Sequence, residues 1–306
     1  MPEPTCLLRG SRSGVRGSSG SNPLERAVSR GYGPFPGCVS YACGAISRNS
    51  MGPKQVEAFI ETGFVKLEGA FPAETAERAR AILWRDTGCD PAEPSTWRRP
   101  LVRLGMYSLE PFIAAASTPA LHAAFDALVG KGRWLPCRSM GTFPVRFPSH
   151  EEPGDAGWHV DASFDYDDPD FFNWRVNVAS KGRALLMLFL FSDIGHDDAP
   201  TRVRVGSHVE IARLLAPAGE GGMTLRELAA NGFDETSRCG EALVTGSAGT
   251  VYLCHPFLVH SAQRHQGSRP RFLAQPPLLP AEPVRLDRAE EDSSPVERAI
   301  IRALAR

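Results

Sequence analysis

From residue 51 onward the apolar and polar positions recur with recognisable periods. In MGPKQVEAFIETGFVKLEGAF, Val56, Phe59 and Ile60 stand at helical spacing, Gly63 follows as a stop, and FVKL reads as a short strand. PAETAERARAILWRDTG predicts a second helix, with Pro72 near its start and Gly88 past its end. Residues 91–106 are Pro-rich and read as irregular. Phe112, Ile113, Leu121, Phe125 and Leu128 predict a further helix over Glu110–Val129.

After Trp134 the period shortens to that of strands. FPVRF (143–147), WHVDASF (158–164), WRVNVAS (174–180), ALLMLFLFSDI (184–194), TRVRV (201–205), EALVTG, TVYLCHPFLVH and RPRFLAQ follow in turn. A helical insertion over 209–230 interrupts them, after the turn Gly206-Ser207-His208. ALLMLFLF is the longest apolar run, and its length suits a strand buried on both faces. Helices early and strands late predict an α+β fold dominated by an antiparallel sheet sandwich.

Composition narrows the function classes. The 306 residues are 42% hydrophobic and 23% charged, the balance of an ordinary globular chain. A net charge of -1 favours neither nucleic acid nor an anionic membrane as a partner. No apolar run approaches the roughly 20 residues of a transmembrane helix. Seven scattered cysteines without a CxxC pair suggest neither a disulfide framework nor a zinc knuckle, so a reducing cytoplasm is the expected compartment. Residues 1–50 differ from the rest: eight Gly, nine Ser and six Arg against two Glu leave little to bury. They are expected to be a disordered or non-native N-terminal extension, with residues 51–306 as the functional domain.

Candidate chemistry centres on WHVDASF. On a strand, His159 and Asp161 share a face, and two adjacent buried polar groups need a partner, a surface or a metal. A second histidine ends the distal strand at His260. Two imidazoles and a carboxylate are the donor set of a facial triad that holds Fe(II) with positions left open. Beyond it, an arginine at 269 or 271 has the fork geometry to grip a carboxylate; spacing alone leaves both open. One carboxylate on the metal and another on such an arginine would describe a dicarboxylic keto acid.

WHVD, DDAPTRVRVGSH, CHPFLVHSAQ and Arg271 together resemble the phytanoyl-CoA dioxygenase family of Fe(II)/2-oxoglutarate-dependent oxygenases, from about Val56 to about Leu278. The resemblance implies a double-stranded β-helix (jelly-roll, cupin-like) core with flanking N-terminal helices. It implies His159, Asp161 and His260 as metal ligands, and Arg271 rather than Arg269 as the 2-oxoglutarate anchor. The implied cofactors are Fe(II), 2-oxoglutarate as cosubstrate and O2, with succinate and CO2 released. Relatives often carry Gly-Pro-Asn after the distal histidine and a hydroxyl residue two positions on; here that position is Ala262, preceded by Ser261. Asp161 distinguishes the chain from members that halogenate, so hydroxylation of a small organic molecule is expected. Alternatives are a jelly-roll binding protein without turnover and a cupin-like metal-dependent hydrolase or isomerase.

The remaining polar residues are expected to do other work. His255 should face away from His260 in a structural or surface role, His208 should stabilise its turn, and His196 and His265 should be solvated. DYDDPD lacks the glycine and glutamate of a calcium loop and is expected to be a solvated loop near the pocket mouth. Trp158, Phe164 and Trp174 read as packing residues. Arg146, and Arg175 with Asn177, hold weaker claims to the pocket.

Overall fold

Gly63 ends the first helix in the left-handed conformation (φ 84°, ψ 5°), which glycine alone adopts without a steric penalty. The structure, a computed structural model, describes residues 51–305; the reading of residues 1–50 concerns a segment outside that range. Helix α1 (Pro53–Thr62), strand β1 (Phe64–Leu67) and helix α2 (Ala73–Thr87) form where the periodicity places them. Strand β2 (Leu101–Leu104) lies in the stretch read as irregular and pairs throughout with β3 (Phe143–Arg146). The helix expected over 110–129 is two: α3 (Glu110–Ala116) and α4 (Pro119–Leu128). Pro119 causes the break, because it disfavours helical backbone at Thr118. The Thr118 hydroxyl instead accepts the Leu121 N–H and caps α4.

Short elements follow: β4 (Arg175–Val176), β5 (Leu185–Leu190), β6 (Arg202–Arg204), α5 (Ser207–Leu215), β7 (Met223–Thr224), α6 (Leu225–Ala229) and β8 (Glu241–Leu243). Then come β9 (Val251–Cys254), β10 (His260–Ser261), β11 (Leu273–Ala274), β12 (Pro277–Leu278) and α7 (Pro295–Leu304). An antiparallel sheet of five strands runs β1-β9-β5-β11 with β12 also on β5, and a smaller one runs β10-β6-β8. Strand β5 divides the core by parity. Leu185, Met187 and Phe189 join the cluster packed under α2, α3 and α4, while Leu186, Leu188 and Leu190 join Val203 and Val244 toward the smaller sheet. Each of these β5 side chains is fully buried and contributes roughly 1.5–3 kcal/mol. The architecture is α+β with antiparallel sheets.

Two expected strands are mostly not strands. WHVDASF pairs as strand only through isolated bridges, His159 to His260 and Phe164 to Arg175. TVYLCHPFLVH divides into β9 and β10 at a turn closed by Leu258 N–H to His255 O (3.0 Å). Helix α7 was not anticipated, although Ser294-Pro-Val-Glu297 spells a capping box. Glu297 is fully buried and accepts a two-pronged bond from Arg133 (2.9 and 2.5 Å) with the Arg285 and Ser294 N–H groups. Burial raises its carboxyl pKa, but Arg133 and those amides outweigh it and hold the group at about 2.

His208 and His255 sit beneath α1 and α7 with ring centroids 4.9 Å apart, both buried. His208 Nε2 donates to Ile60 O (2.9 Å) and thereby ties α5 to α1. His255 Nδ1 accepts the Phe257 N–H (3.2 Å), with Nε2 near Val296 O (3.3 Å). Both are structural: His255 is buried rather than at the surface, and His208 joins two helices rather than only its own turn. Burial pushes His208 down to about 4, and burial beside His208 lowers His255 well below the usual imidazole range.

A histidine whose folded pKa is depressed stabilises the fold fully above its unfolded value near 6.5, and that stability is lost as the pH falls toward 4. For His208 the loss between pH 7.5 and pH 5 is about 2 kcal/mol. Urea denaturation at the two pH values is expected to show the decline, with a smaller slope in His208→Gln. Glu297 does not enter this window, because its own contribution is lost only as pH falls from about 4.5 toward 2.

Candidate metal centre and its cavity

His159 and His260 exchange backbone hydrogen bonds, His159 N–H to His260 O (3.0 Å) and His260 N–H to His159 O (2.9 Å). A pair that exchanges both bonds projects its side chains to one side as neighbours, and the two imidazole centroids lie 4.3 Å apart. Asp161, two residues beyond His159 on extended chain, reaches the same place: its Oδ1 is 3.7 Å from His260 Nε2. One donor atom from each of His159, Asp161 and His260 lies within 4.8 Å of the others. Among the described residues this is the one such cluster of three His, Cys, Asp or Glu side chains.

Hydrogen bonds fix which nitrogens face inward. His159 Nδ1 lies 2.9 Å from Gly157 O, and His260 Nδ1 lies 3.0 Å from Leu258 O. A carbonyl only accepts, so each Nδ1 carries the hydrogen and each Nε2 keeps its lone pair. Burial and the neighbouring His159 push His260 down to about 4, against the pull of Asp161. It is therefore neutral at physiological pH, the form that ligates a metal. Asp161 is braced by the buried Arg183, whose NH1 stands 3.1 Å from Oδ2. Burial raises the Asp161 pKa, and Arg183, His260 and His159 together outweigh it and lower it. Donor type, tautomer and charge all fit a divalent ion.

His159 and His260 open into a cavity of about 480 Å³ lined also by Arg146, Asp155, Thr201, Ala262 and Arg271. Arg146 and Arg271 are both about 1–2% exposed and their backbones form a bridge. Asp155 takes two bonds from Arg146 NH2 (2.8 Å each) and one from the exposed Arg103 (2.7 Å). Arg271 bonds only carbonyls, NH1 to Ala199 O (2.5 Å) and NH2 to Pro144 O (3.4 Å). Arg271 Nε, Arg146 Nε and NH1, and the Thr201 hydroxyl are buried without a partner. Burial and the adjacent Arg146 lower the Arg271 pKa well below its usual value, against Asp155. One carboxylate for these cations leaves a buried positive excess that a further anion would relieve.

The structure separates the two candidate arginines. Arg269 is 65% exposed at its side chain and faces Asp193 (3.9 Å) and Asp198 (3.6 Å), outside the cavity. Arg175 and Asn177 hold the 220–222 turn through its carbonyls and do not line the cavity. His265 is buried, not solvated: Nε2 meets Arg269 O (2.7 Å) and Nδ1 accepts the Gly267 N–H (3.2 Å). Trp158 lines the cavity in addition to packing, and the acidic loop caps its own turn through Asp168 and Asp170. Arg183 and Asp155 escaped the sequence reading, since each acts across a long sequence separation and carries no local pattern.

No family model matches the chain, and no curated protein matches it. Solved structures do. GlcNAc-inducible gene 2 protein, GIG2 (DUF1479), from Candida albicans is 14% identical over 79% of this chain and 65% of that one, with a TM-score of 0.54. HygX from Streptomyces hygroscopicus, solved with nickel and 2-oxoglutarate bound, is 21% identical over 74% and 85%, with a TM-score of 0.48. EctD from S. alaskensis, solved with 2-oxoglutarate and 5-hydroxyectoine, is 20% identical over 76% and 77%, again with a TM-score of 0.48. At such identities the likeness is one of fold.

Removing the sole carboxylate between Arg103, Arg146 and Arg271 leaves the two buried cations uncompensated. Asp155→Asn is therefore expected to destabilise the fold by about 2–3 kcal/mol, read as a lower urea midpoint in buffer free of carboxylates.

Proposed function

We propose that this chain is a non-haem Fe(II)- and 2-oxoglutarate-dependent dioxygenase that hydroxylates a small organic molecule. Residues 51–306 form its catalytic domain, the antiparallel sheets close as a jelly roll, and the enzyme is cytoplasmic. The phytanoyl-CoA dioxygenase family is the relationship this reading favours. One observation carries it: the two histidines of a two-histidine, one-carboxylate donor set line a cavity that also holds two buried arginines with a single carboxylate between them.

In this reading His159, Asp161 and His260 hold Fe(II), a donor set suited to iron where thiolates would suit zinc. Arg271, with Arg146 beside it, takes the far carboxylate of 2-oxoglutarate in a charge-assisted pair. Thr201 offers its unpartnered hydroxyl to the same anion, on a wall where Ala262 offers none. The Arg183 guanidinium stands beside Oδ2 of Asp161 as its ion-pair partner, and Oδ1 lies toward His260. When bound, the iron and cosubstrate supply the oxidation: 2-oxoglutarate, O2 and a substrate C–H give succinate, CO2 and C–OH. The Nδ1 hydrogen bonds of both histidines fix the rings with Nε2 toward the metal position.

Anaerobic addition of Fe(II) and 2-oxoglutarate to the protein is expected to produce a weak visible absorption band. His159→Ala and Asp161→Ala should each abolish it, and its absence in folded wild-type protein would sink the proposal. Arg183→Met is expected to weaken Fe(II) binding by about 10–100-fold through loss of the brace on Asp161. Arg271→Ala should raise the 2-oxoglutarate requirement at least about thirtyfold; an unchanged requirement would move the anchor elsewhere.

A further inference from the structure

The cavity has two unlike sides. Its ionisable lining, Arg103, Arg146, Asp155, His159, His260 and Arg271, belongs to the metal donors and the arginine cluster. The apolar lining includes Trp158, Val160, Phe171, Phe172, Leu225 and Phe233. Val160, Leu225 and Phe233 share one hydrophobic cluster, and Trp158 packs against it. No side chain of this second group can neutralise a charge. At its edge Arg226 is matched by Asp170 (2.6 Å) and Arg103 by Asp155 (2.7 Å), while Arg202 and Arg204, stacked on Trp158, do not line the cavity.

This apolar side is preordered rather than loose. Phe171 and Phe172 form one 3-10 turn, capped by Asp170 Oδ1 accepting the Phe172 N–H (3.0 Å). The Phe171 ring meets Trp174 edge-on at 5.0 Å, and the Arg226 guanidinium lies over Phe172 at 5.3 Å. Each phenylalanine nevertheless remains 51% exposed, an adjacent aromatic pair left facing the cavity mouth. Phe233 adopts the left-handed conformation (φ 62°, ψ 40°), unfavourable for an aromatic residue. Its carbonyl is held there by the Arg204 guanidinium (2.8 Å) and the Thr236 hydroxyl (2.9 Å). Arg204 and Arg202 in turn stack over Trp158 at 4.3 and 4.6 Å.

We propose that this side receives the oxidised substrate, and that the substrate presents to it an uncharged aromatic or alicyclic surface rather than a carboxylate, phosphate or ammonium group. The proposal rests on the oxygenase reading for the place of the reacting carbon, beside His159 and His260. Burying a charge on a wall without a counter-charge is costly, whereas burying hydrocarbon against fixed rings is favourable and loses little conformational entropy.

The test uses the full chain loaded anaerobically with Fe(II) and 2-oxoglutarate, titrated calorimetrically with 2-naphthol, 2-naphthoate and 2-naphthylmethylammonium. The neutral probe is expected to bind at least about tenfold more tightly than either charged analogue. The double substitution Phe171→Ser, Phe172→Ser, at exposed positions that leave the core intact, should weaken it by about tenfold or more. The affinity of 2-oxoglutarate, set by the other side, should stay within about twofold. Equal or tighter binding of a charged probe, no saturable binding of 2-naphthol, or indifference to the double substitution would overturn the proposal. Titration of 2-oxoglutarate into the same protein separates the two readings. If it fails to bind, the oxygenase reading falls, while the naphthyl series still decides whether the apolar side selects uncharged ligands.

Discussion

Two backbone hydrogen bonds between His159 and His260 hold the site together. They join chain segments a hundred residues apart, and because the bonds are reciprocal the two side chains have to emerge as neighbours. Asp161 inherits its position from the same bridge, being two residues along extended chain from His159. The Nδ1 bonds to Gly157 and Leu258 then turn both rings so that Nε2 faces inward. Since β10 carries His260 and pairs with β6, the smaller sheet anchors one half of the donor set. The other half is held by that bridge, by the Phe164–Arg175 bridge and by Arg183.

Charge governs the space beside the donors. Arg146 and Arg271 are buried on adjacent backbone segments, and Asp155 must serve Arg146, Arg271 and the exposed Arg103. Such a cluster would cost stability in a structure that had no use for it, since buried charge without full compensation is expensive. The aromatic side of the cavity reverses that logic: apolar surface is held open by a strained Phe233 and stacked guanidinium groups. Polar and apolar surfaces of different character thus line one cavity.

Much of the frame was legible along the chain. Gly63 and Gly88 stop α1 and α2 where the apolar period ends, and the run from Leu185 to Leu190 is a strand buried on both faces. His159, Asp161 and His260 were singled out by residue type and spacing, and the fold brings them together. The failures have physical causes. Pro119 split a helix that apolar spacing alone had made continuous, and a turn after Cys254 divided what read as one strand. His265 sits in a polar stretch and is nonetheless buried, because two local backbone groups satisfy its ring.

The sequence by itself determined the local periods, the helix stops, the donor types and the presence of an arginine beyond the distal histidine. These depend on short-range geometry, on side-chain chemistry and on the conformational limits of glycine and proline. Residue spacing left Arg269 and Arg271 both open, and the folded chain places Arg269 beside exposed Asp193 and buried Asp198 and Arg271 in the cavity. Only the folded chain set Arg183 on Asp161, Asp155 between its arginines, and the Phe171–Phe172 pair at the cavity mouth. Such pairings join residues far apart along the chain, and their energy depends on burial and distance, neither of which is encoded in spacing.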